Sequence, residues 1–420
     1  MSTTGTARLE RRLGTGDAVV IGLGSMIGAG VFAAFAPAAA AAGSLLLVGL
    51  AIAAGVAYCN AVASAQLAVQ YPASGGTYVY GRERLGAWWG FLAGWGFVIG
   101  KTASCAAMAL TFAAYAVPEP AWLQRLVGVA ALLLLTAVNL RGITRTAALA
   151  RVLVAGSLGA LAVVVVAILA SGRTDLAHLG VPGPGGPYGV LQAAGLLFFA
   201  FAGYARIATL GEEVREPART IPRAIPLALG ITVVVYLAVG ASALVAAGPP
   251  VLAASTMPLA TAVEAVGAAW ASPIVRIGAA IASLGSLLAL IAGIGRTALA
   301  MAREGDLPRW LAAVDPLRRV PHHAEIAVAG ATSVLALTLD LRGAIGFSSF
   351  GVLTYYAVAN ASAWTQEARH RRWPRLLNAI GIAGCVVLVV TLPVGSVLAG
   401  IAVFAVGISG RAILLHLRRS

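Results

Sequence analysis

The sequence predicts an all-α membrane protein of twelve transmembrane helices. Two five-helix halves form an inverted repeat with broken helices 1 and 6, and two peripheral helices follow. Three observations carry this. Of 420 residues, 60% are hydrophobic and only 10% charged, with a mean hydropathy of +0.91, so no soluble domain remains to be explained. The first apolar segment is long enough to cross a bilayer, yet Gly22, Gly24, Gly28 and Gly30 crowd its middle in GLGSMIGAGVF. A second interruption lies about halfway along the chain, in LLFFAFAGYAR (Leu196 to Arg206), around Gly203. Unwinding a membrane helix strands backbone N–H and C=O groups, which is tolerable only where they line a cavity and meet a ligand or ion.

Windows of about 20 apolar residues, taken in order, give the twelve spans. A polar, basic tail occupies residues 1–16. Spans 1 to 5 run Asp17 to Ala41, Ser44 to Gln70, Ala87 to Val117, Trp122 to Leu140 and Thr146 to Ser171. Spans 6 to 10 run Gly189 to Gly211, Ala224 to Ala247, Pro273 to Ala302, Ala324 to Asp340 and Ala344 to Trp364. Spans 11 and 12 run Leu376 to Leu392 and Gly395 to His416. Because the interrupted spans are first and sixth, residues 17–171 and 189–364 make two five-span halves. An odd number of spans inverts the second half relative to the first and brings the interruptions together near the midplane. Spans 11 and 12 (375–416) stand outside the repeat, at the periphery or in association. Three connections stand out: Tyr71 to Gly86, with Gly-Gly, Tyr78 and Tyr80, reads as a short interfacial segment; Gly180 to Gly189 is too rich in Pro and Gly for regular structure; and Ala302 to His323 holds the densest charge, expected to serve orientation and solvation.

Charge placement sets the topology. With the N-terminus inside, twenty-two of the 29 Lys and Arg residues fall on the inner side, four (Arg125, Arg173, Arg276, Arg342) on the outer side, and three (Lys101, Arg206, Arg296) within spans. So lopsided a distribution places both termini in the cytoplasm of a cell-membrane protein. The net charge of +14 is thereby a topology signal, and nucleic acid is excluded as a partner. Span 1 exceeds a signal-peptide core and is expected to be retained. Cys59, Cys105 and Cys385 each lie in an apolar span as packing residues. Glu212 and Glu213, followed by Arg215, Arg219 and Arg223, read as gate or loop salt bridges, and His322 and His323 lack a third ligand at metal spacing. No nucleophile, metal or cofactor motif stands out, so no enzyme activity is expected.

Four segments together resemble the amino acid, polyamine and organocation superfamily of transporters: MIGAGVF (Met26 to Phe32), YPASGGTYVY before a Trp-rich span 3, FFAFAGYARIATLGEEVREPARTIPRAI (Phe198 to Ile225) and GRTALAMAREGDLP (Gly295 to Pro308). The resemblance covers spans 1 to 10 and is nearest to bacterial amino acid permeases and cationic-amino-acid-transporter-like members. It implies one central site, exposed alternately to each side. The substrate's carboxylate is expected at the backbone N–H groups of Gly28, Ala29 and Gly30, next to Met26 and Ile27. The exposed N-terminus of the second half-helix carries free donors and a partial positive charge. The amino group is expected at the carbonyls of Met26, Phe199 and Ala202, near Gly203, where half-helix C-termini favour a cation. A side chain at Gly28 or Gly30 should block the site and leave the fold intact. Glycine stripes also serve close helix packing; the doubled break favours binding.

Some positions depart from the family's pattern. Ala205 stands where members that take basic substrates often have a carboxylate, and every Asp and Glu lies in a loop or near a helix end. Burying an unpaired charge is costly, so the substrate side chain is expected to be neutral; the alternative is a cationic amino acid or polyamine carrier. Ser157 replaces the span 5 lysine of proton-coupled relatives. Lys101, the chain's only lysine, occupies span 3, where relatives often have Glu, and Arg206 follows the second break. A buried ammonium can release its proton and a guanidinium cannot. Lys101 is therefore the candidate proton carrier and Arg206 a fixed charge, each with a structural alternative: snorkelling into a vestibule, or holding the break open. Coupling is expected to be to a proton or a counter-substrate. Arg296 is expected at the inner gate, Phe199 as a lid over the substrate, and Tyr355, Tyr356 and Asn360 in the vestibule. A lipid-modifying enzyme would need an acidic pair or His cluster at membrane depth, a sensor an output domain, and a channel a continuous polar pore.

Overall fold

Long apolar runs in a chain this poor in charge close their backbone hydrogen bonds within each segment, and the outcome is helical throughout. The computed structural model describes residues 13–72, 75–117, 119–142, 147–208 and 214–417, apart from the side chains of 147 and 148. Among the described residues there is no strand, only isolated bridges between Leu13 and Val214 and between Gly43 and Pro182.

The helices are α1 (Thr15–Met26), α2 (Ala29–Ala33), α3 (Phe35–Ala42), α4 (Leu46–Gln70), α5 (Thr77–Leu85), α6 (Ala87–Ala116), α7 (Ala121–Leu140), α8 (Ala147–Ala170) and α9 (Gly186–Phe201). They continue with α10 (Ala205–Ala208), α11 (Pro217–Ala254), α12 (Pro258–Ala265), α13 (Ser272–Arg303), α14 (His322–Thr338), α15 (Leu341–Trp364), α16 (Arg375–Thr391) and α17 (Val394–Leu417). Among the described residues, eight stretches are long and apolar enough to cross a membrane: Thr15–Ala33, α4, α6, α7, Leu149–Ala170, α11, Ala269–Arg303 and α17. The helices α9 and α16 are apolar but shorter, and α14 and α15 meet neither description. For α15 the reason is a buried polar content, with Ser348, Ser349, Tyr355, Tyr356, Asn360 and Ser362 all packed inside. This helix lies against α4, α6, α9 and α16 at the centre of the bundle.

Both expected interruptions are present. The first falls at Ile27 and Gly28, where the Gly28 N–H turns back to Met26 O at 2.8 Å. Beyond it α2 and α3 run on together, since Ala34 N–H reaches Gly30 O at 2.9 Å and Ala38 N–H reaches Ala34 O at 3.2 Å. The second covers Ala202 to Tyr204, with the Gly203 N–H on Phe201 O at 2.7 Å. Arg151 on α8 pairs with Asp17 at the start of α1 at 2.5 Å, and α1 packs on α8 and α11.

The connections differ from expectation in two places. The Pro- and Gly-rich stretch 180–189 is partly regular: a 3-10 turn at Leu176–Gly180 precedes it, and α9 starts at Gly186 with a proline in its first turn, where a missing N–H costs nothing. In the charged stretch 302–323, Asp306 is buried rather than solvated. It accepts from Tyr78 Oη (2.8 Å), Arg82 Nη1 (3.0 Å) and Arg411 Nε (2.8 Å). The Arg411 guanidinium also lies 4.2 Å from the Trp88 ring centre and 5.0 Å from that of Phe91. Arg411 thus ties α17 to the bundle, as does the Trp95 indole N–H, which donates to Val403 O at 3.0 Å, although most of the helix surface faces outward. Asp306→Ala would leave Arg411 as a buried, uncompensated charge, a loss of about 3–5 kcal/mol. Thermal melting of the detergent-purified variant should show a clear drop; an unchanged melting temperature would count against the buried pair.

Candidate functional site

Gly203 brings the two breaks together. A Cβ there would overlap Ser25 O and Met26 N, so the chain between α9 and α10 rests directly on the end of α1, which no larger residue permits. Gly30 likewise lies on the Ala200 backbone and Gly28 on the Ser286 hydroxyl. Between the breaks is a cavity of about 180 Å³, walled by α1, α2, α9, α10, α6 and α13, with Tyr355 contributed by α15. It extends from Gly30, Phe199 and Met108 to Gly24, Arg296 and Thr297.

The stranded carbonyls have partners. Tyr236 of α11 donates its hydroxyl to Met26 O at 2.6 Å and sits 3.1 Å from Ala200 O, so one phenol holds the ends of α1 and α9. Lys101 of α6 donates Nζ to Ala202 O at 3.0 Å, and the Tyr356 hydroxyl shares that oxygen at 3.4 Å. Beyond Gly30, the Tyr115 hydroxyl donates to Phe32 O at 2.9 Å with the two rings edge to face. On α15 the Tyr355 hydroxyl receives the first N–H of α5, from Thr77, at 3.1 Å. Among the described lining residues the charged side chains are Lys101, Arg206 and Arg296, with no carboxylate. Glu325 of α14 is buried against Gly295, behind the wall that Arg296 forms.

Most residues expected from sequence line this cavity: Met26, Gly28, Ala29 and Gly30; Phe199, Ala202, Gly203 and Ala205; and Lys101, Arg206, Arg296 and Tyr355. Two do not. Ile27 follows Met26 at the break, where the backbone has left the helix (φ −80°, ψ 65°), and it turns away from the cavity. It meets Ser157, Val154 and Ala282 along a cleft with no room for water. The Ser157 hydroxyl is spent on Leu153 O, at 2.8 Å. Tyr356 and Asn360 are also outside the lining; Asn360 donates to Asn60 Oδ1 at 2.6 Å. Glu212 and Glu213 lie outside the described residues. The expectation that a large side chain at Gly30 leaves the fold intact fails, because a Cβ there strikes backbone. Sequence reasoning missed Tyr236, Ser104, Met108 and Ser286. For Tyr236 a signal existed, since one phenol within ITVVVYLAVG needs an acceptor when buried.

The match to the amino acid permease family model covers residues 13–409. Over 401 residues the chain is 62% identical to an uncharacterised transporter of Mycobacterium tuberculosis, covering 96% of this chain and 90% of the other. It is 25% identical over 403 residues to a branched-chain amino acid permease of Bacillus subtilis, covering 91% and 86%. With cationic amino acid transporter 7 of Arabidopsis thaliana, chloroplastic, it shares 29% over 383 residues, covering 84% of this chain and 65% of the relative. Apolar helices long enough to cross a membrane, two facing helix breaks and a match nearly end to end converge: this multi-pass membrane protein belongs to the amino acid permease family, within the amino acid, polyamine and organocation superfamily.

Proposed function

We propose that the chain is a secondary active permease of the cell membrane, with both termini cytoplasmic, that moves amino acids by alternating access between twelve spans. In this reading residues 17–171 and 189–364 are the inverted repeats and 375–416 the added pair. The observation that carries it is the backbone contact between the two breaks at Gly203, with a cavity beside it. An amino acid's carboxylate fits the N–H groups at Ala29 and Gly30, where α2 begins and no side chain caps it. Its ammonium fits the carbonyl ends of α1 and α9, at Met26, Phe199 and Ala202. Phe199 serves as the lid. Transport is coupled to a proton or to exchange, with Lys101 the titrating candidate, and does not require sodium.

The substrate side chain is neutral in this reading. Ala205 lines the cavity and no carboxylate does among the described residues, whereas Lys101 is already there. A second cation without a counter-charge costs at least ~3 kcal/mol, roughly a hundredfold in affinity.

Two measurements test this. A thermal-shift screen against the twenty amino acids, followed by sodium-free uptake into proteoliposomes, should rank alanine, serine and leucine above arginine and lysine. Preference for arginine or lysine would make the cationic side of the family the right analogy. The carboxylate position is tested by Gly28→Ala in a Ser286→Gly background, which relieves the packing conflict at Ser286. Affinity should fall about tenfold or more while the protein still melts cooperatively; undiminished affinity would contradict the assignment.

A further inference from the structure

Ala202 O, one of the acceptors expected for a substrate ammonium, already holds an ammonium. Lys101 Nζ lies 3.0 Å from it and the Tyr356 hydroxyl 3.4 Å, so both lone pairs of that carbonyl are engaged. The corresponding oxygen on α1 is also doubly engaged: Met26 O accepts the Tyr236 hydroxyl and the Gly28 N–H. The difference lies in the donors. Tyr236 and Gly28 are neutral, whereas Lys101 brings a charge, on a side chain only 7% exposed that lines the cavity.

We propose that the Lys101 ammonium is a tethered competitor for the substrate's amino group at Ala202 O, so that binding of each amino acid expels one proton from the cavity. The inference rests on the permease reading above. Among the described residues, the charged and titratable groups beside Lys101 or sharing its cavity are Cys105, one turn on along α6, Tyr355 and Tyr356 from α15, Arg206 from α10, and Arg296 from α13. None supplies a negative charge at neutral pH. The buried carboxylates Glu325 of α14 and Asp306, the latter held by Tyr78, Arg82 and Arg411, lie outside the lining. A lysine displaced from Ala202 O by a second ammonium therefore finds no anion among the described residues of the lining, and two like charges in a low-dielectric site repel strongly. The arrangement is relieved when one N–H bond of the Lys101 ammonium breaks: the electron pair stays on Nζ, and the proton passes to cavity water and on to bulk buffer. The substrate ammonium then takes the place of the lysine ammonium, so the cavity holds one ammonium before and after, and with the substrate's carboxylate its net charge falls by one. Release of the amino acid lets Nζ take a proton back and return to Ala202 O. One lysine thereby gives both a proton-linked step and a cation that occupies the empty site.

Titration calorimetry of L-leucine, L-alanine and L-serine onto the purified full-length protein tests this, between about pH 6 and pH 9 in buffers of different ionisation enthalpy. The wild type should release about one proton per amino acid bound, with affinity rising roughly tenfold per pH unit while Lys101 is charged. Lys101→Met, lacking the competitor, should bind more tightly than the wild type at the acid end and independently of pH. Lys101→Arg, which keeps its charge, should bind about tenfold or more weakly across the range. Wild-type binding that releases no proton and ignores pH would overturn the inference, because Lys101 would then stay charged, paired with the substrate's carboxylate. The same holds for a Lys101→Arg protein that binds as the wild type does. The wild-type proton count stands even without a folded variant. If none of the three amino acids binds the wild type or Lys101→Met at any pH, the reading as a neutral amino acid permease fails and this inference with it; binding without a proton effect contradicts the inference alone.

Discussion

Stranded backbone groups at the two helix breaks are the constraint on which the rest of this structure depends. Inside a membrane bundle each unsatisfied N–H or C=O costs several kcal/mol, so an interruption persists only if partners are built for it. Here they come from three other helices: Tyr236 of α11 for Met26 O, with Ala200 O beside it, and Lys101 of α6 and Tyr356 of α15 for Ala202 O. Glycine supplies the other half of the arrangement. Gly203 lets one break rest on the other, and Gly28 and Gly30 keep the start of α2 free of side chains. The cavity is the space that remains once these contacts are made.

The charges are divided by place. In the cavity the described lining holds cations and no carboxylate. Away from it, at the junction of α5, α6, α13 and α17, Asp306 gathers Tyr78, Arg82 and Arg411 into one buried network that ties peripheral α17 to the bundle. Exposed pairs such as Arg219 with Glu216 contribute little beside it, because solvent screens them.

Much of this was legible in the sequence, because the signals are local. Glycine clusters inside apolar runs mark breaks without reference to the rest of the fold, and Met26, Gly28, Gly30 and Gly203 lie at the breaks and along the cavity between them. Lys101 was conspicuous as the chain's only lysine in an apolar span. What escaped depends on rotation about a helix axis or on partners far along the chain. Ile27 and Ser157 sit in the right segments but face a dry cleft behind α1, since a broken helix has no fixed phase from which to count. Asp306 reads as a loop charge until Arg411, 105 residues later, packs on it. Hydropathy also understates α15, whose polar side chains are buried against other helices.

The most direct test of the account is an experimental structure with L-leucine bound to the full-length protein. Density for the amino acid should fill the space between the end of α1 and the end of α9, its carboxylate within hydrogen-bonding distance of the Ala29 and Gly30 N–H groups, and its ammonium on Ala202 O with Lys101 moved away. Leucine bound elsewhere in the bundle, or bound in the cavity with its carboxylate turned from α2, would contradict the claim that the paired helix breaks form the binding site.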